Sequence, residues 1–258
     1  MRSAFLLLAL LAHAPATAQR LGYEDVLAPG APSREAAPPE TLTYAGVPVA
    51  DEAVHAFYGD RMEISPEGDA FAWDVSAEFG RGPHRLWLAS VGDGDFHDGV
   101  GYVSAQALYS HPILEAGLAL QAGVQRDFLE PRRTWAVVGM QGNVSAPLYL
   151  GAFAYLSTKS ELTGSLYAYY DWEPVRNLIL QPYAGLSLAA EDMPTLGLGR
   201  GATDFELSAR LRYRIAEPFA PYVGISHTRL IGRTADLARL AGDGVEATNI
   251  VLGIRSYF

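Results

Sequence analysis

Apolar and polar residues alternate with a period of two along most of this chain. Phe71, Trp73, Val75, Ala77 and Phe79 share one side of a run whose other side carries Asp74, Ser76 and Glu78. Leu207, Ala209, Leu211, Tyr213 and Ile215 likewise oppose Glu206, Arg210, Arg212 and Arg214. At the end, Ile250, Leu252, Ile254 and Phe258 stand against Asn249, Gly253, Arg255 and Tyr257. Successive side chains of a strand point to opposite faces, so each run reads as a strand with one apolar and one polar side. Such strands, with a terminal aromatic, predict an all-β fold, an antiparallel transmembrane outer-membrane β-barrel with lipid outside and a polar lumen.

The alternation predicts strands at Val54–Ile64, Ala70–Phe79, His84–Val91, Gly101–Ser110, Leu114–Asp127 and Arg133–Asn143. Six more follow at Leu148–Ser157, Leu162–Trp172, Leu178–Ala190, Thr203–Ile215, Phe219–Leu230 and Thr248–Phe258. That gives about twelve strands, an even number, which places both ends of the barrel domain in the periplasm. Short turns at Gly80–Pro83, Ser110–Ile113, Val144–Pro147, Pro174–Arg176 and Ala216–Pro218 then fall on the periplasmic side. The longer connections, Gly92–Gly99, Glu191–Ala202 and Ile231–Ala247, fall outside, the sorting that such barrels show. Residues 134–158 lack charge over a length that a membrane helix would need, but Gly139, Gly142, Asn143, Ser145 and Pro147 mark a turn between two strands instead. Thr234–Leu240 reads as a short helix covering the mouth from the last external loop.

An arginine or lysine facing lipid at the midplane costs about 2–4 kcal/mol, so strand charges belong inside. The expected lumen holds Arg61, Glu63, Asp74, Glu78, Arg85, Asp127, Asp171, Glu206, Arg210, Arg212 and Arg255. Mixed signs predict pairing and a plugged or narrow interior rather than a wide pore.

The N-terminus agrees with this compartment. Arg2, an apolar run from Ala4 to Ala12, and Ala16-Thr17-Ala18 have the layout of a secretory signal peptide over residues 1–18. Residues 19–50, rich in Ala and Pro, read as a flexible periplasmic segment, and 51–258 as the barrel. A formal net charge of −10 argues against nucleic acid as a partner, and the lack of cysteine excludes disulfides and thiolate metal sites.

Arg210-Leu-Arg-Tyr-Arg-Ile, Phe219-Ala-Pro-Tyr-Val-Gly, Gly232-Arg-Thr-Ala-Asp-Leu-Ala-Arg and Gly253-Ile-Arg-Ser-Tyr-Phe258 stand in order along the chain. Together they resemble the copper resistance protein B family of Gram-negative outer-membrane barrels. Asp69-Ala-Phe-Ala-Trp-Asp74, Arg85-Leu-Trp-Leu88 and Arg133-Thr-Trp-Ala136 are similar too, and the match runs from about Pro48 to Phe258. The resemblance implies copper as bound or transported ion, a role in copper resistance without turnover, and a periplasmic copper-binding protein as partner. Outer-membrane lipid, and the barrel assembly machinery acting through the C-terminal strand, complete the expected partners. The chain departs from the family where carboxylates line the inside, placing Tyr149, Gly151, Tyr167, Tyr169, Tyr183 and Gly185 there. Ala89 and Val91 replace a lysine and a glutamate, and residues 19–50 lack the Met and His of many members.

Candidate copper ligands follow from the strand map. His55, His84 and His111 fall at the periplasmic mouth, where imidazoles suit copper, although turn histidines are often merely solvated. Asp93, Asp95, His97 and Asp98 form an acidic external loop suited to a hard cation. Met62 and Met140 have lipid-facing parity, and Met193 stands alone in an external loop. Two other functions stay open: a structural barrel without metal, and a lipid hydrolase using His227, whose neighbour Ser226 has the opposite parity.

Overall fold

The structure is a computed structural model that describes residues 43–44, 47–48, 53–66, 69–112, 117–145, 147–215 and 218–258. The leader expected at 1–18 lies outside these residues. So does the Ala/Pro-rich segment at 19–50, apart from a pairing of Thr43–Tyr44 with Val47–Pro48. Among the described residues, twelve strands close a single antiparallel barrel. They are β1 (Ala53–Ser65), β2 (Ala70–Arg81), β3 (His84–Asp95), β4 (Gly99–Pro112), β5 (Leu118–Asp127) and β6 (Thr134–Ser145). The rest are β7 (Leu148–Ser157), β8 (Leu162–Tyr170), β9 (Leu178–Ala189), β10 (Gly201–Tyr213), β11 (Phe219–Leu230) and β12 (Glu246–Tyr257).

Each strand pairs with the next in sequence, and β12 returns to β1 through Leu252↔Ile64, Ile254↔Met62 and Tyr257↔Tyr58. Closure leaves no open edge, as hydrocarbon requires. The stave predicted at Leu162–Trp172 breaks at Asp171 and resumes as Trp172–Val175, both pieces lying against β9. Residues 134–158 form two strands and their turn, and no described helix is long and apolar enough to cross a membrane.

Two details depart from simple alternation. β1 carries a bulge between Gly59 and Arg61, so Asp60 and Arg61 reach the same interior. An extra residue in one strand resets its parity. Ser256, on the outer face of β12, lies against Gly59, where a Cβ would come within 2.5 Å of the serine oxygen. Only small residues fit at this point of the closing seam, which is why no large apolar side chain stands there.

The outer wall is apolar. Met62, Leu86, Leu88, Val124, Leu156, Leu166, Leu207, Ile225 and Leu252 are all exposed on it. Phe57, Phe79, Tyr109, Tyr170, Trp172, Tyr213, Phe219 and Phe258 ring its periplasmic edge, the aromatic girdle of a membrane interface.

The expected external loop Gly92–Gly99 is shorter than its sequence suggests, because β3 continues to Asp95 and leaves only Phe96, His97 and Asp98 unpaired. The long outer connections are residues 190–200, with a 3-10 turn at Pro194–Leu196, and residues 231–245, with helix α1 (Gly232–Ala241). Together they cap the mouth.

Candidate functional site

One side of the lumen is built from charge. Arg210 on β10 donates through Nε to Glu63 Oε1 at 2.6 Å, and the Tyr222 hydroxyl donates to the same oxygen at 3.0 Å. Arg61 lies 3.9 Å from Glu63, and Arg210 also lies 3.9 Å from Glu206, which accepts from Ser226 at 3.1 Å. Towards the periplasm, Arg212 donates to Asp171 at 2.8 Å, beside a further hydrogen bond from Gln181. Arg255 meets Asp60 at 3.3 Å and Arg85 meets Glu78 at 3.8 Å. Asp74 is buried among them. All the charges that alternation assigned to the lumen thus point inward. Asp60, which the alternation alone does not place, joins them through the bulge, and the consecutive charges Asp60-Arg61 were the signal for it.

Two small cavities lie on this side. A cavity of about 40 Å³ lies among Asp60, Arg61, Asp74, Arg210, Arg212 and Arg255. Another of about 60 Å³ lies nearer the outside, among Arg61, Glu63, Asp93, Glu206, Ser226 and Asn249. Such volumes hold a few waters each.

The opposite side is filled mainly with phenols and amides. Tyr149 stacks on Tyr169 at 4.7 Å between ring centres and on Tyr167 at 6.4 Å, and Tyr167 reaches Tyr183 at 6.3 Å. A ladder of amides runs beside them. Tyr167 donates to Gln141 at 2.7 Å, Gln141 to Gln121 at 3.1 Å, and Gln121 to Ser110 at 3.1 Å. Asp127 is the carboxylate of this side and meets no arginine there: it accepts from Trp135 at 2.7 Å, Gln125 at 2.8 Å and Tyr102 at 3.1 Å.

The outer mouth is covered. Leu196, Leu198, Leu230, Ala235 and Ala238 are buried as part of the apolar core, together with Met193, only 3% exposed, so that thioether is a packing group rather than a free external ligand. The helix expected at Thr234–Leu240 lies within α1, and the Thr234 hydroxyl accepts the Gly199 N–H at 3.0 Å. On the other side, Arg133 grips Glu161 through two nitrogens, at 2.6 and 3.0 Å, and reaches Thr195 at 3.0 Å. These charge-assisted hydrogen bonds hold the Glu161 carboxyl below the ordinary glutamate value. Sequence alone gave no sign of this clasp, since its two residues lie in different loops.

The acidic external group does not converge. Asp93 sits on β3 inside the lumen, 6% exposed. Asp95 accepts the backbone N–H groups of His97 and Asp98 at 2.6 and 2.7 Å, forming the turn itself. His97 lies 3.9 Å from Asp69. Among the described residues, no three His, Cys, Asp or Glu side chains gather as a metal-ligand group.

Of the histidines, His84 and His111 come together and His55 does not. The rings of His84 and His111 are 5.3 Å apart, whereas His55 packs edge-on against Phe79 at 6.0 Å. Tyr109 lies between the pair, its hydroxyl 2.5 Å from His84 Nδ1 and 3.5 Å from His111 Nδ1. All three sit on the outside of the wall at the periplasmic edge rather than within the mouth. Tyr109 was absent from the sequence-based ligand set, although its parity is that of both histidines. His227 bonds Thr248 at 2.8 Å on the outer face, while Ser226 bonds Glu206 inside, so the two form no dyad.

A closed barrel with an apolar outer belt, an interfacial aromatic ring and a polar filled interior defines an outer-membrane β-barrel protein. The NanC porin superposes with a TM-score of 0.51 at 11% identity, over 79% of this chain and 99% of the porin, a likeness of fold alone. Residues 53–258 match the family described as copper resistance protein B precursor (CopB). A copper resistance protein B homolog of Pseudomonas syringae pv. tomato is 33% identical over 240 residues, covering 88% of this chain and 81% of the relative. Copper resistance protein B of Escherichia coli is 34% identical over 189 residues, 73% of this chain and 63% of that protein. The chain belongs to the copper resistance protein B family and resides in the outer membrane.

Proposed function

We propose that the chain serves the copper-resistance role its family membership supports by binding copper at the outer membrane, without chemical turnover and without a standing pore. The observation that carries this reading is the filled interior, whose described cavities reach only about 40 and 60 Å³ between paired charges, beneath a packed cap. A hydrated cation crossing it would have to displace Glu63–Arg210 and Asp171–Arg212, leaving buried charges without their partners, which costs several kcal/mol each. Copper held at the membrane in this way is kept from the cell without being conducted.

The test pairs growth under copper, with and without the gene, with copper-content and flux assays on purified protein in vesicles. The expected result is a copper-sensitive deletion strain, copper retained on the protein and no flux above that of protein-free vesicles. Rapid, protein-dependent copper flux would replace binding by passage, and unaltered growth under copper would remove the resistance role.

A further inference from the structure

The outer wall holds a group of donors that the filled lumen does not use. β3 begins with His84, and β4 carries Tyr109 and His111 on the same face at the same edge. Neighbouring strands lie about 4.8 Å apart, which brings side chains on one face within reach of each other. Here they converge on one atom. The Nδ1 atoms of both imidazoles are 2.5 and 3.5 Å from the Tyr109 hydroxyl, and the rings of His111 and Tyr109 stack nearly parallel, 14° apart. The two ring nitrogens and the phenol oxygen thus lie close enough to share one cation.

We propose that His84, Tyr109 and His111 form a copper(II) site on the periplasmic edge of the barrel wall. Two imidazole nitrogens and one oxygen suit copper(II), whereas copper(I) favours thioether or thiolate sulfur. Among divalent first-row ions, copper(II) binds such donors most tightly. Binding replaces one bond by another without redox change: the Tyr109 O–H bond breaks, its proton goes to water, and the phenolate oxygen bonds the metal, which stays copper(II). The side chains sit in the aromatic girdle, where tyrosine and histidine are at home for interfacial reasons alone. What an interfacial role does not explain is the convergence of three donor atoms on one point. The site faces the periplasmic headgroup layer, so copper arrives from the periplasm without entering the barrel.

The proposal deepens the copper-binding reading above and rests on it. Its test uses the mature chain purified without a histidine tag, in detergent, titrated with copper(II) and followed by electron paramagnetic resonance, visible absorption and copper content. Wild type is expected to take up one tightly held copper(II) with a nitrogen-rich signal and a phenolate-to-copper absorption band. Tyr109→Phe should lose the band while keeping a weakened copper signal. His84→Ala with His111→Ala should lose the signal, with heat-modifiable migration on gels showing that the barrel still folds. Copper content and spectrum unchanged in the double variant would overturn the site, as would a wild-type spectrum without the phenolate band. If the deletion strain is copper-sensitive while the double variant fully restores growth and still binds copper, the site falls and the functional reading stands. If the trio binds copper and the deletion strain grows normally, the reading falls instead.

Discussion

The side of the lumen formed by β10, β11, β12, β1 and β2 is filled with arginines and carboxylates, and the side formed by β4 to β9 with phenols and amides. Both meet the same requirement, a polar interior with little space, but they connect the barrel differently. Gln106–Gln125, Gln141–Gln121 and Tyr167–Gln141 join strands that are adjacent or one apart, so this side is a local ladder. Arg210–Glu63 joins residues 147 apart in sequence and reaches from β10 over β11 and β12 to β1. The charged side therefore braces the seam where the last strand meets the first, a pairing of strands that are not consecutive in sequence. Ion pairs suit a brace because each is strong once formed and costly to leave half-formed.

The largest expected break in this comparison is Arg210→Ala, which removes the 2.6 Å cationic partner of Glu63 and the arginine beside Glu206. Unfolding in urea from lipid vesicles should show a loss of roughly 3–5 kcal/mol. A loss no greater than that of the amide variants would abolish the distinction between the two sides. Gln141→Ala, which removes a partner from both Tyr167 and Gln121, should cost about 1–3 kcal/mol in the same assay. Tyr167→Phe keeps the stacked ring and removes one donor, so the loss should be about 1 kcal/mol.

The smallest effect concerns the Arg133–Glu161 clasp, which carries the charged style of bracing into the loops over the phenolic side. Because the folded carboxyl titrates below its unfolded value, the clasp contributes fully above the ordinary glutamate range. Its contribution is lost as pH falls through the lower folded value. Hydrogen-exchange protection at residues 158–161, taken relative to the intrinsic rate at each pH, should therefore fall in acid, and Glu161→Gln should remove that dependence. Exchange that responds equally to pH in the variant would assign the effect to another group.

The contrast also bears on copper. On the uncharged side the inward positions are held by Tyr149, Tyr167, Tyr169 and Tyr183, and these phenols are engaged in stacking. On the charged side, Glu63, Asp171, Asp60 and Glu78 each face an arginine. A metal meeting these groups competes either with an arginine already in place or with packed rings. The trio at the rim has neither competitor.

Much of this was legible from the chain. The alternation along β2, β10 and β12 sorted apolar from charged faces, because a strand in a bilayer has no other way to place an arginine. Strand ends were less legible. Asp93 and Asp95 read as loop residues beside Gly92, Gly94 and Gly99, yet pairing with β4 carries β3 on to Asp95. Glycine there marks close approach to aromatic rings, Gly92 beneath Trp73 and Gly94 beneath Phe71, rather than the end of the strand.

By itself the sequence determined which way most strand side chains face, and with it the compartment, the barrel and most of the charges inside, Asp60 and Asp93 being the exceptions. It could not determine partners. Which carboxylate meets which arginine depends on how staves more than a hundred residues apart register around a closed wall, and a one-residue bulge at Asp60 changes that registry. The same holds at the rim. Three histidines share a mouth in the sequence reading, but only tertiary closure shows that β2 separates His55 from the pair, and that Tyr109 stands between the two that remain.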